Sequence, residues 1–253
     1  MLIDTHAHLL NEYYDDITKV IDDSKKLGVG IVINSGCDNS SNREVLKIAN
    51  EYNNVYVSFG IHPEFADNYQ NSDLDFIEDN INNDKLVAIG EIGLDYHYEG
   101  YNKEKQMILF EKQLKLAQKY NLSVVIHSRD ATLDTINILK KYSVTGVIHC
   151  FSGSKETAME YIKMGYKLGI GGVCTYKNAK LIDIIKQIGI ENIVLETDCP
   201  YLSPVPFRGK KNIPGNVSYV AQFISDELGV SKEEVALITT NNAMSIFDKI
   251  KPL

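Results

Sequence analysis

The strongest constraint on how this chain folds is an alternation. Eight short runs rich in Val and Ile recur along it: Leu2 to His8, Ile31 to Gly36, Val55 to His62, Leu86 to Glu91, Leu122 to His127, Gly146 to His149, Lys167 to Gly171 and Asn192 to Asp198. Several are apolar on both faces, as strands of a covered parallel sheet must be. The segments between them have helical periodicity. Met107, Phe110, Leu114, Ala117 and Tyr120 recur at steps of three and four, which predicts a helix with one apolar face and Lys and Gln on the other. Ser41 stands three residues before Glu44, and Ser231 three before Glu234; both spacings predict a capping box at a helix start. Gly28 and Gly165 follow helical patterns, where a left-handed terminal residue is needed. Eight such units predict an α/β protein of the (β/α)8 TIM-barrel type, with a doubly wound open sheet as the competing arrangement. No linker or low-complexity tract interrupts residues 1–253, so a single barrel domain is expected. Pro200 to Asn216 reads as a loop, followed by two helices over Val217 to Phe247.

In a barrel, the residues that do chemistry sit at the C-terminal ends of the strands. His6 and His8 close the first run, His62 the third, Glu91 the fourth, His127 the fifth, His149 the sixth and Asp198 the eighth; of the histidines, only His97 falls elsewhere. Strand alternation puts His6 and His8 on one face and Ala7 on the other, so the two imidazoles can converge on one ion. Chance is a poor explanation: random placement of the 6 histidines gives roughly 0.14 such pairs in a chain of 253 residues. Six ligands exceed what one ion needs when water must also bind. The expected arrangement is two divalent ions sharing Glu91, one held by His6, His8 and Asp198 and the other by His127 and His149. Two such ions activate a water and neutralise an oxyanion. Imidazole-rich sites suit Zn²⁺, Mn²⁺ or Fe²⁺, whereas Mg²⁺ prefers oxygen shells, and the identity stays open, with Mg²⁺, Mn²⁺ and Zn²⁺ as the leading candidates.

Seven ordered motifs then carry a resemblance: DTHAH, GIHP, GEIGLDY, VIHSRDA, HCFSGS, ETDCPYLSP and RGKKNIP. Their order is that of TatD-type metal-dependent hydrolases, and the match runs from Ile3 to about Val217. The resemblance implies a (β/α)8 barrel with a two-metal site that hydrolyses DNA phosphodiester bonds, often from the 3′ end of a single strand. It implies His6, His8, Glu91, His127, His149 and Asp198 as metal ligands and His62 as the substrate-side histidine. The chain departs from the pattern at His97 and beyond Asn212.

The remaining readings concern roles and partners. Asp198 is expected to orient the attacking water and accept its proton, with Glu91 as the bridging catalytic carboxylate. His62 is placed to hydrogen-bond a phosphate oxygen. The net charge of −8 excludes a general polyanion binder, so DNA must be held locally. Arg129, Arg208, Lys210 and Lys211 form the candidate basic patch, and Tyr96, Tyr98 or Tyr101 can stack bases. Glu196 reads as a partner behind a ligating histidine. Strand alternation should turn Cys150 and Cys199 away from the ions. Four cysteines without a CxxC pair, no secretory leader and no membrane-length apolar run point to a reduced, cytoplasmic enzyme. No obligate protein partner is implied. Two rival functions remain: a related binuclear barrel hydrolase acting on a small amide, ester or phosphate ester, and a non-catalytic barrel binding nucleic acid or protein. The strand-four end offers Glu91 rather than a bridging lysine, which favours the nuclease.

Overall fold

The computed structural model describes residues 1–251. Eight parallel strands form one sheet in chain order: β1 Leu2–Ala7, β2 Val29–Ser35, β3 Val55–Phe59, β4 Leu86–Asp95, β5 Ser123–Arg129, β6 Gly146–Ile148, β7 Lys167–Ile170 and β8 Ile193–Leu195. Helices α1 Ile17–Lys26, α2 Asn39–Glu51, α3 Asn71–Asp79, α4 Lys103–Tyr120, α5 Thr132–Leu139, α6 Lys155–Lys163 and α7 Leu181–Ile188 join successive strands, and α8 Val217–Leu228 and α9 Lys232–Ile246 follow β8. The ring closes just beyond β8. Cys199 pairs with Ala7, His8 N donates to the Cys199 carbonyl at 2.7 Å, and Asp198 N donates to the His6 carbonyl at 3.0 Å. This is the expected TIM barrel, not an open sheet. No described helix is long and apolar enough to cross a membrane.

Two apolar layers hold it together. The inner one joins Ile3, Ile31, Ile33, Val87, Val125, Val147 and Val194, and Phe247 and Ile250 close its floor. The outer one lies between strands and helices, where Ile21, Val45, Phe110, Leu114 and Ile185 cover the sheet. With its lower half filled by branched side chains, the barrel offers solvent only the rim at the strands' C-terminal ends. On β1, Ile3 faces the inner layer while Ala7 faces the outer one; a register shift between Asp4 and Ala7 makes the switch and leaves His6 inside.

Two local expectations change and one holds. The cap of α2 is Asp38, whose carboxylate accepts from Ser41 N at 2.8 Å, so Ser41 stands three positions inside the helix rather than before it. The cap at Ser231 is as expected, its hydroxyl accepting from Glu234 N. On α4 the buried face is not purely apolar, because Gln106 and Gln113 lie on it. Each closes a pair of hydrogen bonds with one backbone residue: Gln106 with N and O of Asp95 at 2.9 and 2.8 Å, Gln113 with N and O of Ile61 at 2.8 and 3.0 Å. Asn34 does the same for Leu9 at 2.7 and 3.0 Å, and Asn42 for Gly60 at 3.2 and 2.9 Å. Buried amides thus supply the partners that backbone groups lose where the strand ladder ends.

Candidate active site

The strand ends do not all fall where the sequence reading puts them. β3 stops at Phe59, and His62 caps a short 3-10 turn, its Nδ1 accepting from Glu64 N at 3.3 Å. β8 stops at Leu195, and Asp198 reaches the rim from a left-handed backbone at φ 55°. β4 and β5 run past Glu91 and His127 to Asp95 and Arg129. Despite these shifts, the six expected ligand positions and His62 meet at one rim.

Glu91 is the centre of the group and is buried. Its Oε2 faces His6 Nε2 at 3.3 Å and His8 Nε2 at 3.7 Å. Its Oε1 faces His127 Nδ1 at 2.8 Å, with His149 Nε2 and His62 Nε2 each at 3.8 Å. The carboxylate therefore turns one oxygen to each histidine pair. Asp198 Oδ1 lies 3.4 Å from His8 Nε2 and 3.8 Å from both His6 and His149 Nε2. It spans the two pairs instead of serving only the first. His6 and His8 Nε2 are 3.0 Å apart. That is about the separation of two adjacent ligands around one ion with bonds of about 2.1 Å.

The outward nitrogens also have close polar neighbours. Ser35 holds both members of the first pair, its Oγ 3.1 Å from His6 Nδ1 and its carbonyl 3.0 Å from His8 Nδ1. His127 Nε2 hydrogen-bonds Asp95 Oδ2 at 3.0 Å; His149 Nδ1 lies 3.0 Å from Glu196 Oε1, at ion-pair distance but without hydrogen-bond alignment. The sequence reading missed Asp95 and Ser35. A signal for Asp95 was there: it lies four residues beyond Glu91 on an extended strand, on the same face. Cys150 corrects another expectation. β6 ends at Ile148 and Cys150 is left-handed at φ 47°, so alternation no longer applies; its thiol joins His149 and Glu196 within 4.8 Å. Cys199 is fully buried near Tyr14 and Thr197.

The electrostatics follow from this crowding. Burial alone would raise the Glu91 carboxyl, but the His6 and His149 charges and hydrogen bonds from His127 and His6 hold it well below its ordinary value. Burial opposes charge on His149, yet Glu196, Glu91 and Asp198 push it up to about 10. Burial likewise opposes charge on His127, which Asp95 and Glu91 push up to about 9. His6 moves the other way, lowered by burial and then by the His149 charge. The cluster is a sink for positive charge. Among the described residues five triads of donor atoms lie within 4.8 Å and can hold a cation: His6–His8–Glu91, Glu91–His127–His149 and His6–His149–Asp198 around Glu91 and Asp198, and His62–Asp95–His127 and His149–Cys150–Glu196 behind them. Nitrogen and oxygen donors of this kind fit a divalent transition metal.

The substrate-side residues are more dispersed. Arg129 lies two residues past His127, its guanidinium 5.1 Å from the Tyr98 ring. Arg208 sits on the loop after β8, 4.4 Å from the Tyr176 ring. Lys211 bonds the Tyr13 carbonyl, and Lys210 lies 5.9 Å from the Phe207 ring. Tyr96 and Tyr101 stack on each other at 4.7 Å, while Tyr98 is exposed. His97 pairs with Asp130 at 2.9 Å, and its backbone N donates to Asp95 Oδ1.

A TIM barrel with buried histidines and carboxylates converging at its C-terminal rim defines the class: a metal-dependent hydrolase. Comparison with known proteins gives the family. The model of TatD related DNase matches residues 3–248. The chain is 42% identical to the Bacillus subtilis metal-dependent hydrolase YabD, over 98% of this chain and 99% of that one. It is 33% identical to human deoxyribonuclease TATDN3, over 100% and 96%. The crystal structure of the TatD homologue YjjV from Escherichia coli superposes with a TM-score of 0.92 at 30% identity, covering 98% of each chain. The chain belongs to the TatD-related DNase family and is a metal-dependent hydrolase acting on ester bonds.

Proposed function

We propose that this protein is a divalent-metal-dependent deoxyribonuclease, a 3′–5′ exonuclease on single-stranded DNA that uses two ions. The observation that carries the two-ion reading is the division of Glu91, with one oxygen towards His6 and His8 and the other towards His127 and His149. Charge points the same way. Glu91, Asp198, Asp95 and Glu196 are four carboxylates with a formal charge of −4, and all touch these histidines. Two divalent cations balance that charge. The name of the human relative, a deoxyribonuclease, supports DNA as the substrate.

Bound divalent ions would supply an acidified water and offset charge developing on the phosphate oxygens. The chain's own groups do the rest. Asp198 stays ionised because the charges of His149, His8 and His6 outweigh the effect of burial, so it can orient a water and take its proton. His62 Nδ1 faces Glu64, 3.3 Å from both its backbone N and its Oε2, and His62 Nε2 lies beside Glu91. That nitrogen donates to a phosphate oxygen. Arg129 and Arg208 hold the rest of the strand, each guanidinium already seated on a tyrosine face. Their local charge compensates for a chain that is acidic as a whole.

The test is a digestion ladder of end-labelled single-stranded oligonucleotides with Mg²⁺, Mn²⁺ or Zn²⁺, with Glu91→Gln as the control. Stepwise release from the 3′ end is expected for the wild type alone. No release with any of these metals refutes the proposal, and cleavage of only small esters gives the site to the rival hydrolase reading.

A further inference from the structure

The two histidine pairs are held from behind in different ways. Ser35, an uncharged residue, serves His6 and His8 with one hydroxyl and one carbonyl, and Ser58 Oγ donates to that hydroxyl at 2.8 Å. His127 and His149 each have a carboxylate at 3.0 Å. We infer that Asp95 and Glu196 are positioning residues for the cation held between His127 and His149, and that they govern this cation alone. The inference rests on the two-ion reading above.

Both carboxylates are built into place. Asp95 has its backbone N and O clamped by the buried Gln106. Its Oδ1 accepts from His97 N at 2.9 Å, which leaves Oδ2 aimed at His127 Nε2. Between Glu91 and Asp95 stands Gly93, where a Cβ would lie 1.9 Å from the His127 carbonyl oxygen. Only glycine lets the two strands approach closely enough for Asp95 to reach across. Glu196 is fully buried, its Oε1 accepting from Cys150 N at 2.6 Å as well as facing His149. Room for its other oxygen comes from Gly169, where a Cβ would stand 2.1 Å away. No Lys or Arg lies within ion-pair distance of either carboxylate among the described residues, although the Arg129 charge acts on Asp95 from further off.

A carboxylate behind an imidazole does two things. It fixes the ring so that one nitrogen faces the ion, and it raises the basicity of that nitrogen. A serine fixes the ring but adds no charge. Loss of Asp95 or Glu196 therefore weakens the grip of His127 or His149, while the hold of Ser35 on His6 and His8 is untouched.

The experiment is a titration of the full-length, metal-stripped chain with Mn²⁺. Free ion is followed by electron paramagnetic resonance and heat by calorimetry, so that each bound equivalent has its own affinity. Wild type should bind two equivalents. Asp95→Asn should weaken one of them by about 10–100-fold and move the other less than about threefold, with Asp95→Ala at the upper end of that range. Glu196→Gln should weaken the same equivalent. His127→Ala should remove it, and adding Asp95→Asn to His127→Ala should then cost nothing more. Unchanged melting curves identify variants that fold, and Asp95, the less enclosed of the two carboxylates, keeps the test open if Glu196→Gln does not. Fewer than two equivalents in the wild type overturns the two-ion reading itself. Two equivalents that weaken together, or not at all, overturn the positioning role while leaving two ions in place. A third equivalent lost with Asp95 makes Asp95 a ligand in its own right, and also overturns the inference.

Discussion

Gln113 provides the sharpest test of how the rim is held. It is fully buried on α4, and its amide closes two bonds with Ile61, the residue before His62. Gln113→Met keeps the volume and the helix propensity but leaves the Ile61 N–H and C=O without partners. Each buried unpaired group costs about 1–3 kcal/mol, so the pair costs roughly 2–6 kcal/mol. For a chain of this size about 2–4 °C of melting temperature is lost per kcal/mol, which gives an expected fall of about 5–20 °C. Differential scanning calorimetry measures it directly. Gln222, exposed on α8 and bonded only to Asp226, is the control; Gln222→Met should stay within about 0.5 kcal/mol of the wild type. A Gln113→Met melting temperature indistinguishable from the control would refute the claim that side-chain amides replace the missing ladder partners. Because His62 follows Ile61 directly, the same variant should also raise KM for an oligonucleotide more than it lowers kcat.

Three further outcomes are expected. Gly93→Ala forces a Cβ to 1.9 Å from the His127 carbonyl oxygen at φ 150°, so urea unfolding should show a loss of more than about 4 kcal/mol; a wild-type midpoint would show that the β4–β5 contact is looser than described. Chelation should lower the melting temperature, since an ion at about 100 times its Kd adds about 2.7 kcal/mol per site, or about 5–10 °C here. Fluorimetry with and without added Mg²⁺, Mn²⁺ or Zn²⁺ reads this, and no shift with any of them argues against a metal centre. Asp23 is held down to about 2 by hydrogen bonds from Lys26 and Lys19. A depressed carboxyl stabilises the fold above its unfolded pKa, so this contribution should be complete above about pH 4 and lost as pH falls through about 2. A ¹³C titration of Asp23 with a midpoint near 4 would contradict it.

The barrel was legible because its signal is local. Val and Ile runs covered on both faces announce parallel strands, and the helical segments between them leave few alternatives. The strand ends were not, because a strand stops where its neighbour stops offering partners. β4 continues to Asp95 only because Leu94 and Asp95 pair with Ser128 and Arg129 on β5, more than thirty residues later. β8 stops at Leu195, its last residue paired with β7, where the apolar run gives way to Glu196, Thr197 and Asp198; the sequence reading carried it three residues further to include the rim carboxylate. At α2 the error was one of competition. Asp38 and Ser41 both suit a cap, and the carboxylate took the position.

The site divides in the same way. Imidazoles and carboxylates at strand ends stand out because their neighbours are apolar, so His6, His8, Glu91, His127, His149 and Asp198 could be read from position alone. Gln106, Gln113, Asn34 and Asn42 could not, since a buried amide looks like a solvent-facing residue in any hydropathy pattern. Their placement nonetheless follows one rule. Each clamps a backbone residue, Asp95, Ile61, Leu9 or Gly60, that is itself a site residue or lies within two positions of one. Crowded carboxylates repel one another, and so do crowded imidazolium rings, so backbone that was free to move would let the cluster spread. Neutral amides resist that spread without adding charge of their own, whereas a lysine or arginine in the same place would compete with the cations for Glu91. The polar residues that the sequence pattern hides are therefore the ones that keep the visible ones together.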